Sequence, residues 1–358
     1  MKELGYNDFV EKLGKANSRK PLYGQIELTY NCPNKCIHCY CKNQTLKELD
    51  VSFWKDVIDQ VRALGGMEIT FTGGDPLFYH DFCEIYKYTK EKGFLVNVFT
   101  SGYPVNNEIL TLFKKFPPLN IEITLNSLEK GNYAKITGTN EKYFDVVMNN
   151  ILALKKARLP LVLKCNGLKE NKAEILQIKK FTQNLLGKGN FKFDSFIFPG
   201  LNCESDIKLH RLEPQEIKEI ELNDEDMLAQ RIKQSKNKGD WFNSKGLYHC
   251  NSWFSRFYIS PEGLLQFCHL TKDFSTDLKK KTFKEGFDGF LDVLKVKPKT
   301  NSKCWSCDLL EYCYRCPARA FLETGDQESP VEYYCRLAEI NKAFMDKLAS
   351  QKIQNKSL

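Results

Sequence analysis

Between residues 24 and about 198 the sequence alternates short β-branched and aromatic runs with charged segments of helical period. Few folds accept that alternation. The strand-like runs are GQIELTY (24–30), MEITFTG (67–73), LVNVFTSG (95–102), NIEITLN (120–126), LVLKCNG (161–167) and FKFDSFIF (191–198). Helices are expected at 52–64, 81–92, 107–115, 141–157 and 171–186, with Ser52 and Asp81 as candidate N-caps and Gly65 and Gly93 as stops. Strands that alternate with helices build βα units around a parallel sheet. Six units are too few to close an eight-stranded barrel, so the expected class is α/β, as a partial (β/α)6 barrel or an open doubly wound sheet.

Polar and glycine-rich residues cluster just after the strands. Three cysteines follow the first, Gly-Gly-Asp-Pro the second, and Thr-Ser-Gly ends the third. Asn-Ser, Cys-Asn-Gly and Pro-Gly close the fourth, fifth and sixth. Sites in such folds lie at the carboxyl ends of the strands, so six segments are expected to converge on one face. Residues 203–245 are charged and mostly helical, with KQSKNKGD as a turn, and read as a bridge. Further on, RFYISPEGLLQFC reads as a β-hairpin turning at Pro261–Gly263, and 336–352 as a terminal helix.

Composition narrows the class further. The N-terminus has no apolar signal region, and no apolar run reaches the length of about 18 residues that a membrane helix needs. A cytoplasmic location is expected, and there 14 cysteines argue for metal or redox chemistry rather than disulfides. The net charge of +8 comes from scattered lysines without a basic stripe, so neither nucleic acid nor membrane is an expected partner. No long exposed apolar helix stands out, and a monomer is expected.

In TYNCPNKCIHCY (29–40), Cys32, Cys36 and Cys39 are spaced C-x3-C-x2-C. Three thiolates do not saturate tetrahedral zinc, although His38 makes a Cys3His site conceivable. A [4Fe–4S] cluster takes four ligands, so three thiolates leave one iron open. The motif and its place after the first strand resemble the radical S-adenosylmethionine superfamily. TFTGGDPLF (70–78) adds to the resemblance, because the family carries a GGE-type motif after its second strand. The resemblance implies that the open iron chelates S-adenosylmethionine, which the reduced cluster splits to a 5′-deoxyadenosyl radical. It implies that Gly73, Gly74 and Asp75 meet the cofactor's amino group, with Asp75 one methylene shorter than the family's Glu. Gly-Gly-Asp-Pro is also ordinary turn chemistry. Further cofactor contacts implied at the ends of strands three to five are Thr100, Ser101, Asn126, Ser127, Lys164 and Asn166, residue types that also cap helices.

Seven more cysteines occupy the C-terminal third: Cys250, Cys268, Cys304, Cys307, Cys313, Cys316 and Cys335. Their spacing, C-x12-G-x4-C, then C-x2-C-x5-C-x2-C, then C, fits zinc ribbons poorly. It resembles the SPASM domain, whose second cluster of cysteines has x3 where Cys313 and Cys316 are separated by x2. The resemblance spans roughly residues 24–335. It implies two auxiliary [4Fe–4S] clusters, one on Cys304, Cys307, Cys313 and Cys335, the other on Cys250, Cys268 and Cys316. The second set leaves one iron for a substrate group, water, His249 or His269. Of the other cysteines, Cys83 reads as a small buried hydrophobe and Cys41 as a bystander. Cys165 and Cys203, near the expected active face, are candidate hydrogen donors, or packing residues.

The implied domains are an N-terminal extension (1–23), the partial barrel (24–200), a helical bridge (201–246), a small cysteine-rich α+β auxiliary-cluster domain (247–340), and a C-terminal helix and tail (341–358). The implied activity is hydrogen abstraction from a ribosomally made peptide, forming a thioether or carbon–carbon crosslink, with flavodoxin or ferredoxin as electron donor. Twenty-three residues precede the first strand, too few for a winged leader-binding domain. The peptide is therefore expected to be held another way or through a partner. His269 stands where the sulfatase-maturing group has an Asp, which disfavours that branch. Peptide epimerisation and small-molecule cofactor biosynthesis stay open, as does a non-catalytic iron–sulfur electron carrier or zinc scaffold.

Overall fold

The computed structural model describes residues 19–41, 47–195, 197–200, 206–236, 246–248, 250, 252–271, 273–299 and 302–354. Cys203 and His249 lie outside them, as does part of the expected turn after 236. Six βα-type strands run in parallel: β1 (Tyr23–Glu27), β2 (Glu68–Thr72), β3 (Leu95–Thr100), β4 (Asn120–Thr124), β5 (Leu161–Asn166) and β6 (Phe191–Asp194). The helices that follow are α1 (Val51–Ala63), α2 (Phe82–Glu91), α3 (Asn107–Lys115), α4 (Lys130–Thr137), α5 (Glu141–Lys156) and α6 (Ile175–Leu186).

The alternation seen in the sequence has a physical basis in each strand. On β5, Leu163 and Cys165 pack into the apolar layer under the helices, while Lys164 and Asn166 face the concave side. On β4, Ile121 and Ile123 do the same against Glu122 and Thr124. Helix α1 buries Trp54, Val57, Ile58 and Val61, one stripe at helical spacing. Each such side chain contributes roughly 1.5–3 kcal/mol on burial. The sheet therefore has an apolar convex face and a polar concave one.

Several local expectations are corrected. The N-cap of α1 is Asp50, not Ser52, and Asp81 occupies the α2 cap position without a side-chain bond. Gly65 and Gly93 do follow their helices, at φ of +86° and +82°. Strand β6 stops at Asp194 rather than 198, because its partner β5 ends opposite it at Asn166. Helix α6 begins at Ile175, after a 3-10 turn at Lys169–Asn171. Helix α4 was not read from the sequence.

The bridge is helical, as α7 (Pro214–Leu222) and α8 (Glu225–Lys236), so Lys233–Lys236 of the expected turn are helix. The hairpin is present as β7 (Arg256–Ile259) and β8 (Leu264–Gln266), followed by β9 (Thr276–Asp277). Its place is a surprise. Strand β7 pairs in parallel with β1, Gly24 opposite Phe257, and extends the sheet to the order β6-β5-β4-β3-β2-β1-β7-β8-β9. Gly24 permits this: a Cβ there would lie 2.1 Å from the Phe257 ring. The C-terminal segment thus joins the same open sheet. It is completed by α9 (Phe283–Gly289), α10 (Pro317–Thr324) and α11 (Glu332–Gln354).

Candidate functional site

The first cysteine loop is anchored before it reaches the site. Lys35 N–H donates to Thr137 O at 2.8 Å and Ile37 N–H to Ile136 O at 3.0 Å, so the end of α4 buttresses it. Gly138, left-handed at φ +64°, fits against Lys35; a Cβ would sit 2.6 Å from the Lys35 carbonyl oxygen. Beneath the loop, the turn after β2 crosses backbone on backbone. Gly74 N–H donates to Thr29 O (2.8 Å) and Asp75 N–H to Asn31 O (2.9 Å). A Cβ on Gly73 would lie 2.3 Å from Thr29 O, and one on Gly74 2.4 Å from Tyr30 O. These glycines are required first by the chain's own crossing.

A cavity of about 350 Å³ opens at the strand ends. It brings together Cys32, Cys36 and Cys39 with Gly73, Gly74, Thr100, Ser101, Asn126, Lys164 and Asn166. These ten are fewer than half of the residues that line it. His38, Glu122, Asp194, Ile197 and Phe198 also line it, and of these only His38 carried a sequence signal, its place inside the motif. His38 Nε2 meets Asn166 Nδ2 at 3.0 Å and Asn126 Nδ2 at 3.3 Å. Burial, then the neighbouring Lys164, pushes its pKa down to about 4. Lys164 is paired with Asp194 at 3.2 Å.

Three predicted site residues are placed elsewhere. Asp75 is fully buried and its carboxylate is already used. It accepts from Leu77 N–H (3.0 Å), Thr100 Oγ1 (2.8 Å), Ser101 N–H (2.7 Å) and Ser101 Oγ (2.7 Å). It clamps the end of β3 to the β2 turn rather than facing the cavity. Ser127 is buried, and its hydroxyl donates to Glu174 at 2.8 Å. Cys165 is fully buried on the convex face, where Asn171 Nδ2 donates to its sulfur at 3.5 Å. That position suits packing, and no wall of the cavity includes it.

The described cysteines form no disulfides with one another and are mostly half-buried. Burial raises Cys32 far up and Cys36 to about 12, with neighbouring thiols adding to both. Cys39 is lowered by its hydrogen bond with Cys41. In the C-terminal segment, Cys250, Cys268 and Cys316 interact electrostatically with one another, and Cys304 and Cys307 with Cys335. Cys313 Sγ lies 3.9 Å from Tyr334 O, beside Cys335. Among the described residues no three His, Cys, Asp or Glu side chains converge as single-ion ligands. A cubane distributes its thiolates over separate iron atoms, so its ligands need not converge on one ion, and the three thiols of the first loop suit that arrangement.

Residues 26–182 of this chain match the model described as the radical SAM superfamily. The chain's fold is shared with Streptococcus suis SuiB bound to S-adenosylmethionine, at TM-score 0.69 and 15% identity over 93% of this chain and 84% of that one. SuiB bound to the precursor peptide SuiA gives TM-score 0.68 and 16% identity, over 90% and 77% of the two chains. The structure titled native anSMEcpe with bound AdoMet and Cp18Cys peptide gives 0.66 and 14%, over 94% and 99%. The superfamily implies a [4Fe–4S] cluster and S-adenosylmethionine. Among the described residues no helix is long and apolar enough to cross a membrane.

Proposed function

We propose that this chain reductively cleaves S-adenosylmethionine and abstracts a hydrogen atom from a ribosomally made peptide, forming a thioether or carbon–carbon crosslink. The observation that carries the reading is the single cavity in which the first cysteine loop meets polar side chains from β3, β4 and β5. Cys32, Cys36 and Cys39 would hold the cluster, which supplies one-electron cleavage of the sulfonium when bound. Thr100 and Ser101 donate their hydroxyl hydrogen bonds to Asp75 and leave their oxygens as acceptors at the cavity, while Asn126 and Asn166 present amides held in place by His38. Lys164 offers the ammonium suited to a carboxylate. Auxiliary clusters on the two C-terminal cysteine groups would take up the electron that a crosslink releases.

Peptide as substrate is supported by the likeness to SuiB and anSMEcpe, both solved with peptides bound. Of the two hydrogen-donor candidates for epimerisation, Cys165 is sealed in the core, and Cys203 lies outside the described residues. Flavodoxin or ferredoxin is the proposed electron donor. The test is anaerobic reconstitution, followed by iron and sulfide analysis and assay of 5′-deoxyadenosine with dithionite. Three cubanes require about twelve irons per chain, and the 5′-deoxyadenosine should vanish in Cys32/Cys36/Cys39→Ala. Zinc in place of iron, or full clusters without cofactor cleavage, overturns the reading.

A further inference from the structure

Two residues that each follow a cluster cysteine touch one another across the cavity wall. Tyr40 follows Cys39, and His269 follows Cys268. Their ring centroids are 5.8 Å apart, edge to face at 63°. Tyr258 of β7 also meets His269, at 5.9 Å. One carboxylate serves both tyrosines. Glu27, the last residue of β1, is 1% exposed. It accepts from Tyr40 Oη at 3.2 Å, from Cys41 Sγ at 3.9 Å and from the Tyr258 hydroxyl. The Cys41 carbonyl in turn accepts from Cys39 Sγ at 3.3 Å.

A buried carboxylate is expensive unless donors surround it. The donors here come from two segments: the loop that carries the first cysteine group, and the strand that leads to the second. Fully satisfied buried networks of this kind are stiff, and stiff contiguous networks transmit coupling. We propose that Glu27 is a positioning residue that couples the two cysteine groups, holding Tyr40 and Tyr258 around His269 so that occupation of one group alters affinity at the other. The inference rests on the proposal that both groups hold clusters.

The experiment is a double-mutant cycle on the anaerobically reconstituted full chain, read as S-adenosylmethionine affinity by equilibrium dialysis. Emptying the second group with Cys250/Cys268/Cys316→Ala should weaken that affinity about fivefold or more, a typical coupling between sites. In a Glu27→Leu background the same removal should change the affinity less than about twofold, while Glu27→Gln, which keeps an acceptor, should retain the coupling. If Glu27→Leu does not fold, His269→Leu carries the comparison, since it breaks the ring contact and leaves the carboxylate in place. Coupling that persists in both backgrounds, or is absent from the unaltered chain, overturns the inference. Failure of the underlying reading looks different: the unaltered chain then binds iron at the first group alone.

Discussion

Asp75 gives the sharpest test of the structure, because the family resemblance and the geometry assign it different work. The resemblance points it at the cofactor, whereas the structure spends its carboxylate on four donors from the β2 turn and the end of β3. Replacing it with Ala strands the Leu77 and Ser101 N–H groups and the Thr100 hydroxyl. The Ser101 hydroxyl retains Tyr103 O at 3.4 Å, so it is partly rescued. Three orphaned donors at about 1–3 kcal/mol each give an expected loss of about 6 kcal/mol. That is a large part of a typical stability of roughly 5–15 kcal/mol. The assay is urea denaturation of the full chain, where the midpoint should fall at unchanged slope. Asp75→Glu should also destabilise, by about 1–3 kcal/mol, since the added methylene has no room. A loss below about 1 kcal/mol for Asp75→Ala refutes the clamp. Intact stability with lost S-adenosylmethionine binding would return Asp75 to the cofactor.

The remaining expectations follow from the same geometry. Burial, against the opposing hydrogen bonds, raises Asp75 from its ordinary 3.8 to about 6, so the native state holds this proton more tightly than the unfolded chain. Stability should then fall as pH rises from about 4 to 6, by about 3 kcal/mol at most from this group, and Asp75→Asn should lack that component; identical pH profiles of the two in urea denaturation would contradict it. Gly74→Ala drives a Cβ to 2.4 and 2.5 Å from two backbone oxygens and should cost about 3 kcal/mol in denaturation. Gly189→Ala, at φ +90° with nothing within 4 Å, should cost only its backbone strain of about 1–2 kcal/mol, and equal losses would argue against the crossing. Cys165→Ala should lower stability by about 1–2 kcal/mol and leave the product unchanged by mass spectrometry, whereas a stalled reaction would restore it as a hydrogen donor.

What was legible in the sequence is what short-range patterning encodes. Alternation along β4 and β5 marks which residues enter the cavity, and the place of the first cysteine motif after β1 marks its position at the strand ends, because motif spacing and strand period are local properties. The misses are non-local. Asp75, Ser127 and Cys165 sit at strand ends or in strands whose neighbours do face the cavity. Only the partners at Thr100, Glu174 and Asn171 show that they turn away. Glu27 carried no signal, since its three donors lie 13, 14 and 231 positions along the chain. Helix α4 has a weak apolar stripe, and its role as a buttress depends on the Lys35 and Ile37 backbone it meets.

The pairing of β7 with β1 places the hairpin that leads to Cys268 on the same sheet as the first cysteine loop. Parallel strands require a long crossover, and here it is supplied by the whole of the other five strands and the bridge. Because β7 runs with β1, its Tyr258 lies level with Gln25 and reaches the carboxylate two residues further along. Because β8 runs back, Gln266 lies opposite Tyr258, and Cys268 leaves the sheet beyond it. The second group is thereby held beside the concave face, while the first loop caps the strand ends. The cavity is lined by Cys32, Cys36 and Cys39, by the paired Lys164 and Asp194, and by His269, the residue through which the segment after β8 reaches it.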